Sequence, residues 1–161
     1  MTVQRQTGTP GSEDGGFQRV VELLGGKRVL HHSLNDPFDA HEMILEGMPG
    51  AALIHLVDHL ANLPKSASFE KAVGMSLRTI QRRKEAPSKR LNPEQSGRTW
   101  KFAEILAKAT EVLGSQEEAE LWLQRPAMGL DQRRPLDLLA TPAGVEIVQD
   151  FLGRLEYGVY T

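Results

Sequence analysis

The stretch FEKAVGMSLRTIQRRK, residues 69–84, joins a short apolar helix, a glycine turn at Gly74 and a second helix carrying four cations. That order is how a helix-turn-helix reads in sequence. Ser76 is a natural start for the second helix, because its hydroxyl can accept from backbone N–H groups two or three residues on. Leu77 and Ile80, at i and i+3, supply the inward face, which leaves Arg78, Thr79, Gln81, Arg82 and Arg83 pointing outward. These side-chain types suit a major groove: Arg bidentate to guanine, Gln to adenine, Thr to a thymine methyl or a phosphate. A basic helix solvated on the surface of a bundle is the competing reading.

The charge map favours DNA. Between Lys65 and Lys101 ten Lys/Arg stand against three acids, Glu70, Glu85 and Glu94, a local balance of +7 in a chain of net charge −2. A near-neutral total thus hides one basic block, and association with DNA depends on the local field and on counterion release. The same asymmetry argues against a histone-like wrapper. Ser76, Arg78, Thr79, Gln81, Arg82 and Arg83 are expected to face DNA, with Arg78 and Gln81 at bases and Lys84, Lys89 and Arg90 at phosphates. A single small helix-turn-helix makes few contacts, so a homodimer that places two recognition helices on double-stranded operator DNA is expected. The amphipathic stretch Trp100 to Leu113 is either its interface or part of the core.

At 161 residues the chain can bury roughly 70% of its unfolded surface. The absence of cysteine excludes disulfides, thiolate metal sites and a cysteine nucleophile, and fits a reducing cytoplasm. No run of about 18 apolar residues is available for a membrane span, and the N-terminus MTVQRQTGTPGSEDGG has no apolar signal region. A cytoplasmic protein with no membrane partner is expected, with residues 1–15, rich in Gly, Ser, Thr and charge, as a disordered leader.

Helical signals dominate the remainder. Phe17 to Leu24 is apolar-periodic and closed by Gly25-Gly26. Asp36-Pro37, Asn92-Pro93 and Thr141-Pro142 each set a capping residue before a proline and so mark three helix starts. Ala51 to Leu63 repeats leucine and valine at three- and four-residue spacing up to Pro64, and Arg98 to Leu113 does the same up to Gly114. A Ser115/Glu118 capping box opens the next helix. Val29 to Ser33 is the one plausible strand.

Signals for catalysis are weak, and a non-enzyme without cofactor or metal is expected. His55 and His59 flank Asp58 in HLVDH, but aspartate is shorter than the glutamate of the helical zinc arrangement and no third ligand is marked. His31 and His32 are adjacent and would diverge in an extended segment. The glycines form no nucleotide-binding loop.

Residues 125–161 pass from a Pro/Gly-rich connection through Arg133-Arg134-Pro135 and a short helix around Leu136 to Leu139 into a Thr141-capped helix. They end with Tyr157, Val159 and Tyr160, an apolar tail suited to a partner surface or to folding back on its own core. From about Phe17 to Thr161 the chain resembles the Xre/MbcA/ParS-type antitoxins of RES-domain toxin–antitoxin pairs. The strings that carry the resemblance are GMSLRTIQRRK, LNPEQSGRTWKFAEIL and GLDQRRPLDLLATPAGVEIVQDFLGRLEYGVY. Glu70 and Arg83 depart from the usual helix-turn-helix pattern, standing where a small and an apolar residue are common.

The resemblance implies an all-α fold: a Xre/Cro-like helix-turn-helix core and a small helical C-terminal domain that covers the active-site cleft of an NAD-consuming RES-domain toxin. On that basis residues 16–114 form the DNA-binding region and 115–161 the toxin-binding domain. It also implies toxin contacts at Arg154, Glu156, Tyr157 and Tyr160, supported by Arg133 and Arg134, together with repression of the chain's own operon. Two other readings compete: a free-standing repressor with a C-terminal sensor or dimerisation domain, and an adaptor whose basic block binds an acidic protein.

Overall fold

Asn92 begins the helix on which the other elements are assembled. Its side chain accepts from the Gln95 N–H at 2.7 Å, the Gln95 side chain accepts from the Asn92 N–H at 3.1 Å, and Pro93 fills the first helical position. The helix then runs 21 residues to Leu113, about 31 Å at 1.5 Å per residue.

The computed structural model describes residues 13–63 and 66–158. Within them the order is α1 (Glu13–Leu23), α2 (Gly26–Leu30), α3 (Pro37–Glu46), α4 (Gly50–Asp58), α5 (Ala67–Val73), α6 (Leu77–Arg83), α7 (Pro93–Leu113), α8 (Gln116–Leu123), a 3₁₀ turn (Met128–Leu130), α9 (Pro135–Leu138) and α10 (Pro142–Glu156). The fold is all-α, and the only β pairings among the described residues are isolated bridges, Pro49 with Arg90 and Ala127 with Arg133. None of the described helices is long and apolar enough to cross a membrane.

Helix α7 is central because it is apolar on several faces. Trp100, Phe102, Ile105, Leu106 and Ala109 are buried, and α1, α3, α5, α8 and α10 all pack on it. Phe17 of α1 meets Trp100 at 5.7 Å between ring centroids, and Phe69 of α5 meets Phe102 edge-on at 5.3 Å. The stretch from Trp100 onward is therefore core, and it leaves little apolar surface for pairing with a second chain. Asp36, Ser66, Ser76, Asn92, Ser115 and Thr141 each cap a helix by accepting the N–H three residues on, contacts of ~1 kcal/mol apiece.

Helix α4 is started differently. Pro49 has no side-chain acceptor, and the carbonyls of Lys89 and Pro87 take the Gly50 and Ala51 N–H groups, each at 2.9 Å, while Leu91 donates to the Met48 carbonyl at 2.8 Å. A Cβ at Gly50 would lie 2.9 Å from the Lys89 oxygen, and one at Gly47, whose φ is 96°, 2.4 Å from that of Leu91. The loop after α6 is thus clamped to the start of α4, which also packs on α6. The clamp sets the position of α6.

Several sequence expectations change. Val29 and Leu30 close α2 and do not begin a strand. Gly25 and Gly26, at φ 96° and 68°, turn the chain straight out of α1, Leu30 is fully buried, and His31 at φ 57° ends the turn. Helix α1 begins at Glu13, just inside the stretch expected to be leader; residues 1–12 lie outside the described set. Ser115 caps α8 through the Glu118 N–H, but the reciprocal box belongs to Asn92 and Gln95.

Helix α4 ends at Asp58, short of Pro64, because α8 captures the segment that follows. Gln116 and Glu120 of α8 and its capping residue Gln124 stand at i, i+4 and i+8. Gln116 donates to the His59 carbonyl at 2.9 Å and Gln124 to the Asn62 carbonyl, and Glu120 accepts from the Asn62 and Leu63 N–H groups at 3.0 and 3.2 Å. Glu120 is 1% exposed, and its other oxygen accepts from Gln116 at 3.2 Å. Replacing it with alanine strands the buried Leu63 N–H and the part-buried Asn62 N–H, so Glu120→Ala should cost about 1–3 kcal/mol in urea unfolding. A loss under about 0.5 kcal/mol, the scale of an ordinary surface change, would mean that the latch does not form.

Candidate functional site

The helix-turn-helix is built by local hydrogen bonds around Gly74, whose φ of 74° turns the chain between α5 and α6. Met75 is buried beneath the turn. The Ser76 hydroxyl accepts the Thr79 N–H at 3.1 Å and lies 2.9 Å from the Thr79 hydroxyl. Glu70, unusual for the motif, accepts the Leu77 N–H at 3.1 Å and so places a carboxylate at the amino end of α6, where the helix dipole favours it. Ile80 is buried and Leu77 half-buried, as the spacing predicts.

The outward face carries Arg78, Gln81 and Arg82, all exposed. Arg83, expected to face outward with them, sits differently. It is half-buried, with its stem against Gly50 and its guanidinium donating to the Arg90 carbonyl at 3.4 Å. That is how an arginine serves where an apolar residue is usual: the stem packs and the head finds a carbonyl. Lys84 pairs with Asp58 at 3.3 Å, and Arg90 donates to the Glu46 carbonyl at 3.4 Å beside its carboxylate. Arg78, Arg82 and Lys89 make no ion pair among the described residues, and their charge is the least neutralised on this face.

The second site lies at the other end of the chain. Gly144, in the first turn of α10, would set a Cβ 1.8 Å from the Leu138 carbonyl, so only glycine lets α9 and α10 meet this closely. Phe151 stacks on Trp122 of α8 with ring centroids 6.0 Å apart. At the end of α10 the structure brings together Arg154, Glu156 and Tyr157: Arg154 is exposed, Tyr157 is 81% exposed, and Glu156 is held by an ion pair with Lys108 of α7. Tyr160 lies outside the described residues.

Arg133 and Arg134 stand apart from that cluster. Arg133 is exposed, and its carbonyl accepts the Ala127 N–H at 3.1 Å. Arg134 forks onto Asp137 at 2.8 and 3.0 Å and donates to the Ser68 hydroxyl of α5 at 3.0 Å. These hydrogen bonds from Arg134 hold the Asp137 carboxyl below the usual carboxylate range, Ser68 adding to the effect and partial burial opposing it. Arg134 is thereby a tie between α9 and α5.

Arg98 makes a second tie that sequence reading missed. Its Nη1 donates to the Lys71 carbonyl at 3.1 Å and to the Ala140 carbonyl at 3.5 Å, and its stem lies over Gly74. Nothing in the sequence separates Arg98 from the other cations of the basic block. His55 and His59 stack at 4.1 Å, their Nδ1 atoms 3.1 and 2.7 Å from the carbonyls of Leu23 and His55.

Two outcomes follow from this geometry. Arg78→Ala with Arg82→Ala should lower the salt slope of duplex DNA binding by about 0.9 to 1.8, according to whether one or both reach a phosphate, read from affinity against salt concentration, whereas Arg83→Ala should move it much less; an unchanged slope in the double variant would place DNA elsewhere. Because the Asp137 carboxyl is depressed in the folded state, its contribution is full above the unfolded value of about 4 and is lost as pH falls through the folded value. Asp137→Asn should therefore be less stable than the unmodified chain at pH 7, with the gap closing below about pH 4. A gap that persists in acid would rule out the ion pair as its source.

Comparison with known proteins adds the family. Residues 39–104 match an antitoxin Xre-like helix-turn-helix domain, and residues 108–158 match an antitoxin Xre/MbcA/ParS C-terminal toxin-binding domain. The chain is similar to an antitoxin Xre of Yersinia enterocolitica, 30% identical over 138 residues that cover 83% of this chain and 92% of the relative. It is also similar to antitoxins Xre of Photorhabdus laumondii, 26% identical over 71% of this chain and 76% of the relative, and of Pseudomonas putida, 27% identical over 78% and 76%. With a basic helix-turn-helix at one end and a matched toxin-binding region at the other, the chain belongs to the Xre/MbcA/ParS antitoxin family.

Proposed function

We propose that the chain is the antitoxin of a type II pair, that it occludes an NAD-consuming RES-domain toxin through its C-terminal tail, and that it represses its own operon through α6. The observation that carries this reading is the end of α10. An exposed Tyr157 close to an exposed Arg154, inside the region matched as toxin-binding, presents the side-chain types enriched at protein interfaces. The role is occlusion in the cytoplasm, with no reaction of its own. Arg78, Arg82 and Lys89, which make no ion pair among the described residues, support operator binding.

A homodimer completes the DNA-binding unit. Phe38 and Leu45, one heptad apart on α3 and 76% and 55% exposed, support self-association there, since the apolar faces of α7 are already covered. A free-standing repressor with a small-molecule sensor draws on one observation, an open cleft of about 530 Å³ between α7 and α10 lined in part by Phe102, Ile105 and Val145.

Leu155 packs on the core and Glu156 is paired with Lys108, so the cut that removes the tail and spares α10 falls after Glu156. Full-length protein and the chain ending at Glu156 are each co-purified with the product of the adjacent gene, and NAD loss is measured in each eluate. The full-length complex should be inactive and the truncated one should consume NAD. An adjacent product that never consumes NAD, or full silencing by the truncated chain, would overturn the tail mechanism.

A further inference from the structure

Met128 is 84% exposed, yet the turn that carries it is firmly held. The Ala127 N–H donates to the Arg133 carbonyl at 3.1 Å, the N–H groups of Leu130 and Gln132 both donate to the Ala127 carbonyl at 3.0 and 2.9 Å, and Arg133 donates to that of Leu130 at 3.1 Å. Asp131 and Gln132 take positive φ of 54° and 59° to close it. Gly129 lies flat on Phe151, where a Cβ would come within 2.3 Å of the ring, and Phe151 is backed by the parallel Trp122 ring. Ile147, one turn before Phe151 on α10, is 49% exposed. The two segments meet where Gly129 lies on Phe151, and each carries one exposed apolar side chain, a residue or a helical turn from that contact, which together make up an apolar strip.

Solvent-exposed apolar side chains on a pre-ordered scaffold bind without the entropy cost of ordering a loop, and Met and aromatic residues are enriched in interface cores. We infer that Met128 and Ile147 are a fixed anchor for the toxin, separate from the tail: the strip supplies affinity and the tail supplies inhibition. The inference rests on the antitoxin reading above. The occupant is the toxin because the strip lies wholly within the region matched as toxin-binding, and its Ile147 shares α10 with Arg154, just before Tyr157. Self-association has a surface of its own on α3. Both side chains are exposed and neither supports the core, so changing them leaves the fold intact.

The test compares four full-length proteins against the purified product of the adjacent gene by calorimetry and by NAD consumption at saturating antitoxin: the unmodified chain, Met128→Glu, Ile147→Glu, and Tyr157→Ala combined with Tyr160→Ala. Thermal melting checks that all four fold alike. Each anchor variant should raise Kd by about tenfold or more and still silence the toxin once bound. The tail variant should keep Kd within about threefold and leave the bound toxin active. Anchor variants that bind like the unmodified chain would overturn the division of labour alone. So would anchor variants that turn a dimer into a monomer, by sedimentation, with toxin affinity unchanged, because the strip would then face a second copy. An unmodified chain that fails to bind the product would overturn the antitoxin reading as well.

Discussion

One unbroken helix holds the two ends of this molecule in register. The helix-turn-helix match stops at residue 104 and the toxin-binding match starts at 108, and both positions lie inside α7. Paired domains joined by a flexible segment move relative to one another; here the joint is a buried helix interior with Ile105, Leu106 and Ala107 all covered. Its length depends on the reciprocal cap at Asn92 and Gln95 and on Gly114, whose φ of 99° stops it. The angle between the helix-turn-helix and the C-terminal domain is therefore set by α7 itself.

Three polar ties reinforce that geometry. Arg98 joins the end of α5 to the approach to α10, Arg134 with Asp137 and Ser68 joins α9 to the start of α5, and Lys108 with Glu156 joins α7 to the end of α10. Exposed ion pairs contribute little stability each, and the apolar contacts along α7 provide most of it. The ties matter for direction: they act on the backbone around Gly74 and on the first and last turns of α10, the places where each functional surface begins.

How much of this was legible in the sequence followed the range of the interactions. Ser76, Asn92 and Thr141 could be read as helix starts because a cap is a bond between residues three apart, and Leu77 and Ile80 because helical periodicity shows which face turns inward. The roles of Glu120, Arg134 and Arg98 as ties could not, since the contacts that make them so reach 57 or 58, 66 and 27 or 42 residues away. Val29 to Ser33 was misread for the same reason: β-branched and apolar residues suit a strand or a buried helical turn, and the paired glycines before them together with the pocket that buries Leu30 decide for the turn. At the candidate sites, residue type located the basic face, but which cations were already spent on Asp58 and on the carbonyls of Glu46 and Arg90 emerged only from the packed structure.

The two surfaces make one physical arrangement, a positively charged helix fixed by the α4 clamp and an apolar, aromatic C-terminal face fixed by close glycine contacts. Hydrogen exchange of the chain with operator DNA alone and with the toxin alone tests it most directly. The account predicts that DNA slows exchange across residues 76–90 and that the toxin slows it across residues 127–133 and 144–158. Protection of α10 by DNA, or of α6 by the toxin with no change at the C-terminal face, would contradict it.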